Sequence, residues 1–185
     1  MATTWIDLLE RNRLYAQNKH RPEPYISEFG TSDIGIPPVF IFSCIDFRAA
    51  PEQLLEMHGE EAFIVRNLGG RVKASIADLA FVEHVSQGQA IKDIIIMHHT
   101  DCGLTHFEQG AIHEALKAKH PEAAHEIDQL KMPTYEGGSI DKHKETLRKD
   151  IEFFKNLPFI RQELRDSVKG YVYDIKSGKL IPESS

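Results

Sequence analysis

Two short apolar runs each end in a polar cluster that contains a cysteine, and this pairing restricts the chain to few architectures. Val39-Phe40-Ile41-Phe42-Ser43 leads into Cys44-Ile45-Asp46-Phe47-Arg48, and Ile94-Ile95-Ile96-Met97 leads into His98-His99-Thr100-Asp101-Cys102-Gly103. Apolar runs this short, rich in β-branched and aromatic residues, read as buried strands. Ala62-Phe63-Ile64-Val65-Arg66-Asn67 reads as a further strand, closed by Gly69-Gly70. Residues 75–87 carry Ile76, Leu79, Ala80, Val82 and Val85 at helical spacing. Strands that alternate with helices predict an α/β fold, with a mostly parallel central sheet flanked by helices. Ligands of open sheets bind outside the carboxyl ends of the strands, where both clusters lie.

The rest of the chain fits around that centre. Thr4-Trp5-Ile6-Asp7 is a capping box, and the helix it opens carries Trp5, Leu8, Leu9 and Tyr15 on one face. Residues 21–38 hold Pro22, Pro24, Gly30, Gly35, Pro37 and Pro38 and form an irregular connection. The expectation is one domain over residues 1–185, with an N-terminal helical arm (1–38) and an α/β core (39–185). The arm suits packing on a neighbouring subunit or folding back on its own domain. Further elements are expected as a helix from Pro51 to His58, helical segments across 104–130, a loop over 132–139, a helix from Ser139 and a short helix over 159–167. A strand, turn and strand over 171–181 form a sheet edge.

Net charge of −6 without a Lys/Arg cluster argues against a nucleic-acid surface. No apolar stretch approaches the roughly 18 residues that span a bilayer. The first residues lack a basic segment followed by an apolar one, so a secretory leader is not expected. Two cysteines then favour thiol or metal chemistry over a disulfide framework, with the cytoplasm as the expected compartment.

Zinc prefers thiolate and imidazole donors in tetrahedral geometry, and catalytic sites keep one position open. Cys44, His99 and Cys102 supply three donors, with Gly103 easing the turn. Asp46 or another histidine could supply a fourth. The alternative is that both cysteines are simply buried apolar side chains. Asp46 and Arg48 are two apart, so Arg48 can hold the carboxylate ionised and oriented, or merely cap the strand end as an ion pair. Gly69 and Gly70 could present N–H groups to an anion, or form a tight turn only. His98 points opposite to His99 and is expected to be packed. His20, His58, His84, His106, His113, His120, His125 and His143 are scattered and are mostly expected at the surface. His106 is near enough to Cys102 to be considered for proton relay.

Cys44-x-Asp46-x-Arg48, Arg66-Asn67-x-Gly69-Gly70 and His99-Thr100-Asp101-Cys102-Gly103, in that order, resemble the β-class carbonic anhydrase family. The resemblance covers residues 39–105 most strongly, and Tyr171-Val172-Tyr173-Asp174 with Ser177-Gly178-Lys179 looks like the family's closing strand. It implies that Cys44, His99 and Cys102 bind Zn2+, with Asp46 and Arg48 as the catalytic dyad. It implies zinc-hydroxide attack on a small linear cumulated substrate, foremost the reversible hydration of carbon dioxide (CO2) to bicarbonate, and assembly as a homodimer or homotetramer.

Phe47 and Leu68 stand where the family commonly has smaller residues, and with Gly69 and Gly70 they are the expected substrate pocket. The chain looks like the compact branch of the family, which also includes enzymes that hydrolyse carbonyl sulfide (COS). Hydrolysis of COS to hydrogen sulfide and CO2 is therefore the second expectation. A non-catalytic zinc or redox module, with Asp46 closing the fourth position, is the third.

Overall fold

The computed structural model describes residues 3–22, 25, 35–59 and 61–183. The chain divides into two units, Met1–Ile34 and Gly35–Ser185. The first carries α1 (Trp5–Asn18), which buries none of its residues. Its start is the expected capping box: Thr4 Oγ1 accepts from the Asp7 N–H (3.2 Å), and Asp7 Oδ2 accepts from the Thr4 N–H (2.7 Å). Of the irregular connection, residues 23, 24 and 26–34 lie outside the described residues.

The second unit is built on a five-stranded sheet. Its strands are β1 (Val39–Cys44), β2 (Ala62–Asn67), β3 (Asp93–His99), β4 (Lys169–Asp174) and β5 (Lys179–Pro182), in spatial order β2-β1-β3-β4-β5. The first four run parallel, and β5 returns antiparallel at the edge. The helices are α2 (Pro51–Leu54), α3 (Val72–Val85), α4 (Gln109–Lys119), α5 (Ala124–Gln129), α6 (Ile140–Lys155) and α7 (Gln162–Ser167). Phe40 and Phe42 on β1 pair in register with Ile94 and Ile96 on β3. With Val172 they share the sheet face on which Leu79 of α3, Leu147 and Phe154 of α6 and Leu164 of α7 pack. The two-residue strand period puts these side chains on one side, and burying them drives the layer together.

Several elements start or stop away from their expected bounds. α2 ends at Leu54 because Glu56 turns the chain with a φ of 50°. α3 begins at Val72, directly after the Leu68–Gly70 turn, because the Asn67 side chain staples that turn. Its Oδ1 accepts from the Arg71 N–H (2.8 Å), and its Nδ2 donates to Arg71 O and Ser75 Oγ (both 2.9 Å). The helical stretch across 104–130 is interrupted at His120-Pro121, as expected where a proline biases the preceding residue away from helix. α7 is shorter than expected, starting at Gln162.

Candidate metal centre

β1 and β3 are neighbours in the sheet, so their carboxyl ends bring Cys44 and His99 together. Beyond His99, the Thr100 N–H donates to Tyr173 O of β4 (2.9 Å). Asp101 then takes a left-handed backbone (φ 56°), a conformation aspartate tolerates better than most residues, and the chain doubles back to present Cys102. The three donor atoms of Cys44, His99 and Cys102 lie within 4.8 Å of one another, and all three residues are buried. The two sulfurs are 4.0 Å apart. Tetrahedral bonds of about 2.3 Å from sulfur to zinc would set them at about 3.8 Å. His99 Nδ1 lies 2.9 Å from Thr100 O, so that nitrogen carries the proton and Nε2 keeps its lone pair. Nε2 is buried without a hydrogen-bond partner. A buried orphan acceptor beside two thiols fits a thiophilic dication.

The electrostatics agree. The Cys44 thiol is drawn down, first by the hydrogen bond from Cys102 and then by His99, against the opposing effect of burial. The same contact with Cys44, together with burial, pushes Cys102 up. Without a cation the pair therefore shares one proton, and a cation would release it. Asp46 is held at about 2, chiefly by its hydrogen bonds from Arg48. Arg48 Nη2 donates to Asp46 Oδ2 (2.6 Å) and Arg48 Nε to Oδ1 (3.0 Å). The Arg66 side chain donates to the carbonyls of Cys44 (3.0 Å) and Asp46 (2.8 Å), fixing the backbone that carries both groups.

A cavity of about 330 Å³ opens on the two sulfurs and Asp46. Of the four expected pocket residues, Leu68 and Gly69 line it and Phe47 and Gly70 do not. Phe47 is 82 % exposed. Gly70 is buried in the backbone instead: a Cβ there would lie 2.9 Å from Met97 O and 3.1 Å from Cys44 N. Ile45 and Gly103 also border it, and the rest of the wall is Leu104, Phe107, Ile112 and Met132. These four were missed because they come from segments that follow the cysteine motif without any signal of their own.

A family model described as carbonic anhydrase matches residues 39–180, which include β1 to β4, the start of β5 and every donor above. The chain belongs to the β-carbonic anhydrase family. A carbon disulfide hydrolase from an Acidianus species is 29 % identical over 164 residues, covering 79 % of this chain and 78 % of the relative. Beta-carbonic anhydrase 1 of Mycobacterium tuberculosis is 26 % identical over 178 residues, 94 % of each chain. Among solved structures, a carbonic anhydrase from Glaciozyma antarctica is 25 % identical with a TM-score of 0.75, covering both chains fully.

Beneath the donors, the chain holds a buried polar layer that no sequence motif marks. His98 points away from the donors, as expected, and its Nε2 lies 3.1 Å from Asp150 Oδ2 without hydrogen-bond alignment. Burial lowers the pKa of its imidazole. Arg71 Nε donates to the same Asp150 oxygen (2.6 Å), and Arg71 Nη1 donates to Thr134 O. The Tyr135 ring packs against both His98 and His143, and its hydroxyl is 3.2 Å from His143 Nδ1. Most of the scattered histidines are exposed, as expected, and His143 and His113 are the buried exceptions. His143, Thr146, Leu147, Asp150 and Phe154 share the buried stripe of α6. An acid on that stripe was the available sign that Asp150 faces inward.

Proposed function

We propose that the chain holds one zinc ion through Cys44, His99 and Cys102 and catalyses the reversible hydration of CO2 to bicarbonate. The observation that carries this reading is the convergence of three buried donors beside a carboxylate that Arg48 engages through both oxygens. Zinc, when bound, supplies a Lewis acid that brings the pKa of water down to about 7. Asp46, ionised under the influence of Arg48, accepts a hydrogen bond from the reacting water and aims its lone pair at the substrate carbon. The apolar wall keeps competing water away from that carbon. Bicarbonate leaves through the cavity mouth, and the proton passes to buffer. A closed, non-catalytic site would require the Asp46 carboxylate to swing away from the paired hydrogen bonds that Arg48 gives it.

A second reading, hydrolysis of COS, is favoured by the cavity wall. Apart from Asp46 and the thiols, the side chains that line it are apolar, including Leu68, Leu104, Phe107, Ile112 and Met132. COS differs from CO2 by one larger, softer terminal atom, which such a wall accommodates. The test compares kcat/KM for CO2 hydration with that for sulfide release from COS on zinc-loaded protein. Fast hydration with negligible sulfide release supports the first reading, and the reverse supports the second.

Two further proposals concern assembly and compartment. Trp5 and Ile6 of α1 are 70 % and 77 % exposed, which suits a homodimer or homotetramer in which α1 is covered. Light scattering on the purified chain measures this. Cysteines kept as metal ligands suit the reducing cytoplasm. Among the described residues, no helix is long and apolar enough to cross a membrane.

A further inference from the structure

We infer that His106 is a positioning residue that, through Asp101 and Arg48, sets the Asp46 carboxylate beside the metal donors. Arg48 is held from two sides. Asp46 takes its Nε and Nη2, while Asp101 Oδ2 takes Nη1 (2.8 Å) and Asp101 O takes Nη2 (3.0 Å). An arginine side chain 36 % exposed would be a weak constraint on one carboxylate alone, because exposed ion pairs are soft. The second carboxylate fixes the plane of the guanidinium fork.

Asp101 is itself held by His106, whose Nε2 lies 2.7 Å from Asp101 Oδ1. The backbone of His106 is fixed by the Gly103–Thr105 turn, through a hydrogen bond from its N–H to Gly103 O (3.0 Å). The turn that follows Cys102 therefore presents the imidazole to the left-handed residue that precedes Cys102. The contact needs only an N–H at Nε2, which both the corresponding neutral tautomer and the imidazolium supply.

The chain His106–Asp101–Arg48–Asp46 cannot serve as a proton wire, because Arg48 does not release its proton. Its role is mechanical. Asp46 Oδ2 is already 3.9 Å from His99 Nε2, so a carboxylate freed from Arg48 is within a side-chain rotation of the donor cluster. There it would compete with water for the metal's open position.

This inference rests on Asp46 orienting the reacting water, and its test includes an arm that does not depend on turnover. The zinc protein is assayed for kcat/KM, and the cobalt(II)-substituted protein is titrated with azide by visible absorption. In His106→Ala we expect both kcat/KM and azide affinity to fall roughly threefold to tenfold, the scale of one half-exposed hydrogen bond. Asp101→Asn, which keeps a residue tolerant of the left-handed backbone, should fall further. His106→Gln retains an N–H donor and should stay within about twofold of the parent. Unchanged azide affinity in His106→Ala, or a His106→Gln variant as impaired as His106→Ala, overturns the inference. A parent chain that turns over neither CO2 nor COS would sink the proposed function, while the azide titration would still decide the role of His106.

Discussion

Asp150 lies 3.1 Å from His98, the residue that precedes the donor His99, and both are buried. The same Asp150 oxygen accepts from Arg71 Nε at 2.6 Å, so one carboxylate from α6 ties the end of β3 to the start of α3. Removing it leaves a largely buried guanidinium without its counter-charge. Asp150→Ala should cost about 3–5 kcal/mol, the usual penalty for breaking a buried ion pair from one side. Urea unfolding of the zinc-loaded chain measures it as a lower midpoint with an unchanged slope. A loss no larger than that of an ordinary surface substitution would show that water already screens Arg71.

The sheet was legible because its strands are short apolar runs: β1, β2 and β3 each form around the run read from their residues. The start of α3 was not, because the device that sets it is the Asn67 side chain, which periodicity does not see. The donors were legible because Cys44, His99 and Cys102 sit in dense motifs at strand ends. The part played by Asp101 was hidden although it lies inside a motif, since it depends on a left-handed turn that aims its carboxylate at Arg48. Tyr135 comes from a loop that nothing in its neighbours marks, and only packing against His98 and His143 gives it a place.

Burial holds the His143 imidazole down at about 4, from an ordinary 6.5. The unfolded chain therefore binds this proton more readily than the folded one. The stability that depends on His143 is intact above about pH 6.5 and falls as pH drops towards 4, by at most about 1.4 kcal/mol per pH unit. His143→Gln lacks that loss. The variant should be the less stable protein at pH 7, through lost packing on Tyr135, and the gap should narrow by up to about 2 kcal/mol by pH 5. Paired urea titrations at the two pH values check this, and a constant gap would contradict it.

Gly70 combines a φ of +67° with close backbone on two sides, since an added Cβ would meet Met97 O at 2.9 Å and Ser43 C at 3.0 Å. Gly178 has a similar φ of +71° but nothing within 4 Å. Gly178→Ala should cost only the backbone strain, about 1 kcal/mol. Gly70→Ala adds a clash with the strands that carry Cys44 and His99, so it should cost about 3 kcal/mol or more and weaken zinc binding as well. Thermal melts and a chelator competition on the two variants test the contrast. Equal losses would show that strain, and not proximity, decides the requirement at Gly70.

Asp46 and Cys102 both border the cavity, yet their removal should separate cleanly. Asp46 is bound by Arg48 and not by the donor set, so Asp46→Ala should keep one zinc per chain and lose turnover roughly a hundredfold or more. Cys102 is one of three buried donors, and Cys102→Ser replaces a thiolate with a hydroxyl that stays protonated and binds zinc poorly. That variant should lose both metal and activity on dialysis against a chelator that leaves the parent loaded. Added zinc should restore activity to the stripped parent but not to stripped Cys102→Ser. Zinc content by atomic absorption, read beside the rate, distinguishes the two. An Asp46→Ala chain that loses its zinc would instead make Asp46 a fourth ligand, and the site a closed one.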